Sequence, residues 1–380
     1  MVRRNKPSYP QVPVVDIHGP FEATGILSMR VRRHREFGLY KEDGTPVPHG
    51  EVAGSLTHST PLPQSPGHAP EKVFEGPILF AGLAPRQFGH VILNSLGRLW
   101  ALEHLPADTA LLYLPQIRAI PQRYPYVQPL LDMLGVNSTL MLHDRPTRYM
   151  SLFTAKDDFG ERHGGKMTER MREWIAFRLP TTGPVTKDRK VYFTRSRLGV
   201  SVGRFCNEDL LEQLLLADGY EIVAPETLSL NRQVAIMQDA ETMIFAEGSA
   251  LHLYGLVQRP EQNVCVIQRR HELPSLIKSQ LLDGPSKVNF VEVISSILWP
   301  PKPGDNISIA QLDFEKLRDA LVDAGCLSPD AAWRSPRSDE IAFSLGAGLS
   351  PGVSLVPDHE RAGWLRRHRR KGQPAKAFKF

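Results

Sequence analysis

The residues best suited to binding a ligand form the turn at 246–252, with the sequence Ala-Glu-Gly-Ser-Ala-Leu-His. The turn follows an apolar run at 242–245 and precedes a helical pattern, which predicts a buried strand, a tight turn and a helix start. Gly248 allows the backbone to approach a ligand, and Ser249 is a suitable N-cap. Because a helix N-terminus carries unpaired N–H groups and partial positive charge, the turn suits an anion such as a diphosphate. An ordinary strand-to-helix turn explains the same pattern.

Further polar residues follow two other predicted strands. Arg195 comes directly after the strand 190–194, and Glu226 comes shortly after the strand 220–223. A parallel sheet would bring these residues and the 246–252 turn to one edge, where an arginine, a helix start and a carboxylate suit an anion that also carries hydroxyls. A surface ion pair explains Arg195 equally well, and a solvated loop explains Glu226. Arg204 could reach a phosphate, although nothing local establishes that it does.

A second polar group lies earlier in the chain, on a helix predicted over 88–104. His90, Asn94 and Arg98 repeat at i, i+4 and i+8 and therefore share one face of that helix. A histidine can accept a proton near neutral pH, so this face, if it lines the cleft, is a candidate for proton transfer. A solvated helix face is the alternative.

Strands and helices alternate in two series, which predicts an α/β fold with largely parallel sheets. The Pro- and Gly-containing segment 180–184 is the best linker between them. Because ligands of open parallel sheets bind beyond the carboxyl ends of the strands, we expect a site in the cleft between two facing units. The predicted domains are a loop-rich N-terminal extension (1–70), a first Rossmann-like domain (71–184), a second Rossmann-like domain (185–335) and a basic, flexible tail (336–380).

Charge is concentrated in the tail. The chain of 380 residues has a net charge of +5, yet residues 361–380 contain eight lysines and arginines and no acid, so the rest of the chain is slightly acidic. Residues 1–360 therefore do not have the basic charge of a nucleic-acid-binding surface. The tail could contact anionic lipid headgroups, although a solvated tail explains it as well.

Other classes of protein and site are poorly supported. The three cysteines are widely spaced, which disfavours a disulfide framework or a zinc site and favours a reducing compartment. His49, His58 and His68 lie in a loose spacing better explained by solvated loops than by a metal. The sequence contains neither G-x-G-x-x-G after a strand nor a P-loop nor a G-x-S-x-G elbow. We find no signal peptide and no spanning segment, and expect a cytoplasmic protein without a bound metal or cofactor.

Taken in order, these motifs resemble glycosyltransferase family 61 over roughly residues 75–270. No single motif is specific, but the ordered set is. The set comprises 191–197, Arg204, Asn207-Glu208, 219–223, Pro225-Glu226, Leu228-Ser229, Gln233, Ala240 and 247–252. The segment from Phe88-Gly89-His90 to Arg98-Leu99-Trp100 is similar to the family's N-terminal helix motif. In one departure, Glu247 stands where many members have histidine.

The resemblance implies a GT-B-like architecture and inverting, metal-independent transfer of a hexose or pentose from a nucleotide sugar, usually a UDP-sugar. It places the diphosphate at Arg195 and the Gly248–Ser249 helix start, and the nucleoside near 223–226. The acceptor would be a glycan or a lipid-linked glycoconjugate, as in surface polysaccharide synthesis. The remaining expected donor-binding residues are Arg204, Glu226, Gln233, Ala250 and His252. His90 is the candidate base, with Glu247 as the alternative and Asn94 and Arg98 on the acceptor side.

Two other hypotheses remain open from the sequence. The chain could be a non-catalytic binding or scaffold protein on a transferase-like fold, recruited to the inner face of a membrane by residues 361–380. It could also be a different doubly wound enzyme with a phosphorylated ligand.

Overall fold

The computed structural model describes residues 16–29, 35–52, 69–116, 119–181, 183–199, 202–304, 306–350 and 352–370. Their strands, in chain order, are β1 (Ile17–Met29), β2 (Arg35–Lys41), β3 (Lys72–Ala84), β4 (Ala110–Pro115), β5 (Leu140–Leu142), β6 (Thr147–Ala155), β7 (Thr186–Phe193), β8 (Arg204–Phe205), β9 (Tyr220–Val223), β10 (Ala240–Ala246), β11 (Asn263–Ile267), β12 (Lys287–Val291), β13 (Ile294–Trp299), β14 (Ile309–Leu312) and β15 (Val356–Pro357). The α-helices are α1 (Phe88–Ser95), α2 (Val127–Met133), α3 (Glu169–Arg178), α4 (Glu208–Ala217), α5 (Leu230–Asp239), α6 (Ala250–Tyr254), α7 (Ser275–Leu282), α8 (Phe314–Asp323), α9 (Ser338–Gly346) and α10 (Asp358–Arg370).

The chain divides into two compact units. Unit 1 comprises Met1–Thr182, His252–Val257 and Ser275–Asp283, and unit 2 comprises Gly183–Leu251, Gln258–Pro274 and Gly284–Phe380. Both units contain parallel strands alternating with helices, so the α/β class expected from the sequence is confirmed.

The sheet of unit 1 runs in the order β2-β1-β6-β3-β4-β5. Strands β6, β3, β4 and β5 pair with their neighbours in parallel, whereas β1 pairs antiparallel with both β2 and β6. Every residue of β4 is buried, as expected for a strand covered on both faces. Strands β1 and β2 lie in the segment 1–70 that we expected to be loop-rich, so for 17–29 and 35–41 that expectation is wrong. His58 and His68, from the loose histidine group, lie outside the described residues.

The helix predicted over 88–104 is shorter than expected. Helix α1 ends at Ser95, and a separate 3₁₀ helix spans Leu99–His104. Gly97 lies in the break, where a Cβ would overlap the carboxylate of Asp157. The Gly97 carbonyl accepts a hydrogen bond from the Asp158 backbone N–H at 2.8 Å, so the segment following β6 occupies the space that a continuous helix would need.

In unit 2 a fully parallel sheet runs in the order β12-β11-β10-β7-β9. Numbered along the chain within this sheet, the order is 2-1-3-4-5, a known doubly wound order. A second sheet runs β15-β13-β14-β8. Tyr192, Ile244 and Cys265 of the parallel strands belong to one apolar core with Leu211 of α4 and Leu317 of α8. The Ser229 hydroxyl caps α5 by accepting from the Arg232 N–H at 3.3 Å.

The C-terminal region is more ordered than the flexible tail that we expected over 336–380. It contains α9, β15 and α10, and β15 pairs with β13. Arg361 of α10 is 6% exposed and donates hydrogen bonds to the carbonyls of Pro300, Lys302 and Gly304. Its guanidinium also lies over the ring of Trp299, at 4.7 Å from the ring centroid. Hydrogen bonds to carbonyls that are distant in sequence therefore hold α10 in place. In the described part of the chain, no helix has the length and apolarity needed to cross a membrane.

Candidate functional site

Arg195 and Gly248 lie at the switch point of the parallel sheet in unit 2, which is the position where the direction of strand addition reverses. Strands β7 and β10 are neighbours, with Phe193 paired to Phe245 and their rings stacked at 4.4 Å. From β7 the chain continues to β9 on one side, whereas from β10 it continues to β11 on the other. Loops diverge at such a switch point and leave a crevice, which is where open α/β sheets bind ligands. The structure therefore brings together the two features that the sequence placed at one sheet edge.

The Arg195 side chain packs directly on Gly248. A Cβ at position 248 would overlap the Arg195 guanidinium, so glycine is needed here for space. Arg195 Nη2 donates to the Gly203 carbonyl at 3.1 Å, and its buried Nε has no hydrogen-bond partner among the residues that the structure describes. Burial lowers the pKa of Arg195, an effect that the carboxylates of Glu208, Glu247 and Glu226 oppose. Because arginine keeps its proton in proteins, the site retains a half-buried cation whose Nε is an unused donor.

Glu208, at the start of α4, fixes the segment that carries Arg195. It is 4% exposed, and its Oε1 accepts hydrogen bonds from the Tyr192 hydroxyl at 3.0 Å, the Thr194 hydroxyl at 2.9 Å and the Arg195 backbone N–H at 2.7 Å. Burial raises the pKa of Glu208, and the three donated hydrogen bonds oppose that rise. Glu208 therefore anchors the end of β7.

Glu247 is fully buried and both of its oxygens are engaged. Oε2 accepts from the Arg269 backbone N–H at 2.8 Å, and Oε1 accepts from Arg270 Nε at 2.7 Å within an ion pair. These contacts tie the turn after β10 to the segment after β11. Such a carboxylate is well suited to holding Arg270 in place, and its role as an alternative base stays a prediction.

Arg269 and Arg270 are site residues that the sequence analysis missed. They follow β11 as Arg195 follows β7, so the same carboxyl-end argument applied to Arg269 and Arg270 would have found them. Arg269 is 3% exposed and donates to the Ser308 hydroxyl at 3.1 Å. Burial lowers the pKa of Arg269 to about 10, and the charge of Arg195 adds to the lowering. This cluster contains three arginines, at 195, 269 and 270. The charges of three carboxylates, Glu208, Glu247 and the exposed Glu226, act on Arg195.

Other predicted donor-binding residues have different surroundings. Gln233 Nε2 donates to the carbonyls of Pro225 at 2.8 Å and Leu228 at 3.2 Å, which fixes the loop carrying the exposed Glu226. The guanidinium of Arg204 instead donates to the carbonyls of Ser344 and Ala347, at and just after the end of α9. The structure gives Arg204 a role in anchoring the C-terminal region.

The turn itself is half-buried at Gly248, Ser249 and Ala250. Helix α6 spans Ala250–Tyr254, a helix of five residues, and the division between the units falls inside it, before His252. The helix expected after the turn is therefore short, and His252 is grouped with unit 1 rather than with the other predicted donor residues.

His252 is buried and held by Gln280 of α7. Its Nδ1 lies 2.7 Å from Gln280 Oε1, while Gln280 Nε2 donates to the His252 carbonyl at 3.0 Å. The second contact fixes the amide orientation, so His252 Nδ1 carries the proton. Burial lowers the pKa of His252 to about 4, and the charge of His90 contributes to the lowering. His252 is therefore a neutral imidazole near His90.

His90 and Asn94 both contact Glu161, a residue that the sequence analysis did not single out. His90 Nδ1 and Asn94 Nδ2 lie 2.9 Å and 3.1 Å from Glu161 Oε1. Arg98 does not extend this face, because α1 ends before it and Arg98 is 2% exposed, donating to the Ala155 and Glu51 carbonyls. The expectation of a continuous His-Asn-Arg face is therefore wrong at Arg98. Within the described ranges, no group of three or more His, Cys, Asp or Glu side chains is arranged to hold a metal.

Comparison with known families gives an independent indication of function. Residues 88–265 match the family model of glycosyltransferase 61. The match covers a little under half of the chain, begins with α1 and ends within β11, and so includes His90, Arg195 and Gly248. No curated protein matches the chain. The match supports a relationship to glycosyltransferase family 61, which suggests glycosyltransferase activity with a sugar donor and a glycan acceptor in general.

Proposed function

We propose that this protein is an inverting glycosyltransferase that moves a hexose or pentose from a nucleotide sugar, a UDP-sugar, to a glycan or lipid-linked glycoconjugate. The observation that carries the proposal is the half-buried Arg195 guanidinium, packed on Gly248 at the switch point of the unit 2 sheet. It lies within the segment that matches the glycosyltransferase family.

The cluster around Arg195 concentrates guanidinium groups that suit a diphosphate. Arg195 is half-buried, and Arg269 and Arg270 lie beside it, after the next but one strand of the sheet. Hydrogen bonds between guanidinium and phosphate are strong because they are charge-assisted. The same donors would stabilise the negative charge that develops on the leaving nucleoside diphosphate. We therefore assign Arg195 to the diphosphate, with the backbone at Gly248 and Ser249 beside it.

The loop after β9 is our candidate for the nucleoside. Residues 223–226 follow the strand next to β7, and Gln233 fixes the loop through two carbonyls. A loop held in this way can present the Glu226 carboxylate to ribose hydroxyls, for which carboxylates are good acceptors. The resemblance to glycosyltransferase family 61 implies this role for residues near 223–226, and the exposed side chain of Glu226 leaves its carboxylate accessible.

Transfer also requires a group that takes the acceptor proton. We assign this role to His90, which is partly exposed and contacts Glu161. Glu247 is the less suitable alternative because both of its oxygens are engaged. Metal-independent transfer, a GT-B-like arrangement of the two units, a cytoplasmic location and a role in surface polysaccharide synthesis are further predictions of this proposal.

A scaffold on a transferase-like fold, recruited to membranes, is the second candidate. Its support is the exposure of Arg366 and Arg367 on α10, in a segment free of acidic residues after Glu360. Basic residues near an anionic membrane surface contribute about 1 kcal/mol each. Membrane association is also compatible with catalysis on a lipid-linked acceptor.

A ligand screen distinguishes the two candidates. We expect the melting temperature of the full chain to rise with a UDP-sugar more than with GDP- or CMP-sugars, and to do so in the presence of EDTA. Slow donor hydrolysis or sugar transfer should accompany that rise. No stabilisation by any nucleotide, together with binding to phosphatidylserine vesicles, would favour the scaffold.

A further inference from the structure

His90 and Glu161 meet beyond the carboxyl ends of neighbouring parallel strands in unit 1. Strand β3 leads to α1, whose first turn contains His90, and β6 leads to the segment containing Glu161. From β3 the sheet continues through β4, whereas β6 borders the antiparallel β1 on its other side. Reactive groups of α/β proteins gather at such an edge. The two residues are therefore brought together by the topology, although they lie far apart in the chain.

The contacts determine which nitrogen of His90 carries the proton. Asn94 Nδ2 donates both to the His90 carbonyl at 3.0 Å and to Glu161 Oε1 at 3.1 Å, so the carboxylate oxygen facing His90 is an acceptor. His90 Nδ1 lies 2.9 Å from that same oxygen and must donate to it. In the neutral ring, Nδ1 therefore holds the proton and Nε2 holds the lone pair. The His90 side chain is 27% exposed, whereas that of Glu161 is 7% exposed.

We infer that Glu161 is a positioning residue that fixes His90 with Nε2 as the proton acceptor, an inference that rests on the glycosyltransferase function proposed above. In the step, the acceptor hydroxyl oxygen bonds to the anomeric carbon as the bond from that carbon to the diphosphate oxygen breaks. The leaving nucleoside diphosphate keeps the electron pair, and the hydroxyl proton passes to His90 Nε2. The imidazolium so formed keeps its Nδ1–H bond to the Glu161 carboxylate, which stabilises the new positive charge.

The neighbouring His252 favours this arrangement. Gln280 holds its Nδ1 proton, and burial keeps the ring uncharged because its pKa is lowered to about 4. His252 therefore adds no positive charge that would oppose protonation of His90. A charged residue at 252 would act against the proposed step.

The first test measures the tautomer of His90 in the full chain without any substrate. Protein labelled with ¹⁵N-histidine would be studied by NMR at about pH 8, and the His90 signals would be assigned by their loss in His90→Ala. We expect the Nδ1–H form in the wild type and in Glu161→Gln, which keeps an acceptor oxygen, and a loss of that preference in Glu161→Ala. A wild-type ring in the Nε2–H form would overturn the inference.

The second test measures kinetics, with Glu169→Gln on the exposed start of α3 as the control. We expect kcat to fall about 10²-fold in Glu161→Ala, by less in Glu161→Gln and not at all in the control, with donor KM unchanged throughout. Full kcat in Glu161→Ala, while the wild type is active, contradicts the positioning role alone. A wild type that transfers no sugar from any nucleotide donor contradicts the proposed function itself.

Discussion

The guanidinium of Arg195 occupies the space in which a side chain at Gly248 would begin. Arg195 follows β7 and Gly248 follows β10, and the parallel pairing of these strands places both at one sheet edge. The absence of a Cβ at position 248 lets the half-buried Arg195 guanidinium lie against the backbone of the turn. This relationship makes the turn a candidate anion site, beyond what a strand-to-helix connection alone would provide.

Substitution of Gly248 tests that relationship. In Gly248→Ala the new methyl group displaces the end of a flexible arginine side chain rather than backbone, so we expect only a small loss of stability. The displaced guanidinium should weaken nucleotide-sugar binding by about 10-fold or more, the cost of one charge-assisted hydrogen bond. Gly346→Ala is the matched control because its Cβ would meet nothing within 4 Å. Calorimetric titration would measure affinity, and equal affinity in both variants would contradict the proposed packing.

Glu247→Gln separates a structural role from a catalytic one. The neutral amide leaves Arg270, 34% exposed, without its ion-pair partner, so we expect the free energy of unfolding to fall by about 1–3 kcal/mol. Urea denaturation followed by circular dichroism would measure the loss, with the exposed Glu226→Gln as the stability control. Unchanged stability together with lost turnover would instead identify Glu247 as the base.

Acidification should reveal the buried, neutral state of His252. Its pKa is lowered from 6.5 to about 4, so between these values the unfolded chain binds the proton that the folded chain excludes. The contribution of His252 to stability is therefore complete above pH 6.5 and declines as the pH falls towards 4, by about 3 kcal/mol.

The comparison needed is between the wild type and His252→Gln. The pKa of the buried His143 is also lowered to about 4, and this contribution is the same in both proteins. We expect the melting temperature of His252→Gln to fall less between pH 6.5 and pH 4. Parallel declines in the two proteins would show that His252 does not titrate in this way.

Much of the geometry of unit 2 could be predicted from the sequence. The alternation of apolar strands with helices predicted parallel pairing, and that pairing alone explains why Arg195 and Gly248 meet. The ion pair between Glu247 and Arg270 could not be predicted, because it depends on strand register and on the directions of two side chains. The contact between His90 and Glu161 depends on the return of β6 beside β3, which local patterns do not reveal.

At the termini, local patterns misled. Residues 1–70 were expected to be loop-rich, yet β1 forms by pairing with the distant β6, and β2 pairs with β1. The basic composition after 336 indicated a flexible tail, whereas Arg361 is held by the carbonyls of Pro300, Lys302 and Gly304. In both cases contacts that are distant in sequence outweigh local composition.

The most direct test of the central claim is the binding of a UDP-sugar to wild-type and Arg195→Ala protein, measured by calorimetric titration with transfer assayed in parallel. Arg197→Ala, exposed and two residues further along, is the matched control. We predict that Arg195→Ala keeps the wild-type fold by circular dichroism, binds about 10- to 100-fold more weakly and loses nearly all transfer, while Arg197→Ala behaves as the wild type. Wild-type affinity and transfer in Arg195→Ala would contradict the assignment of Arg195 to the diphosphate.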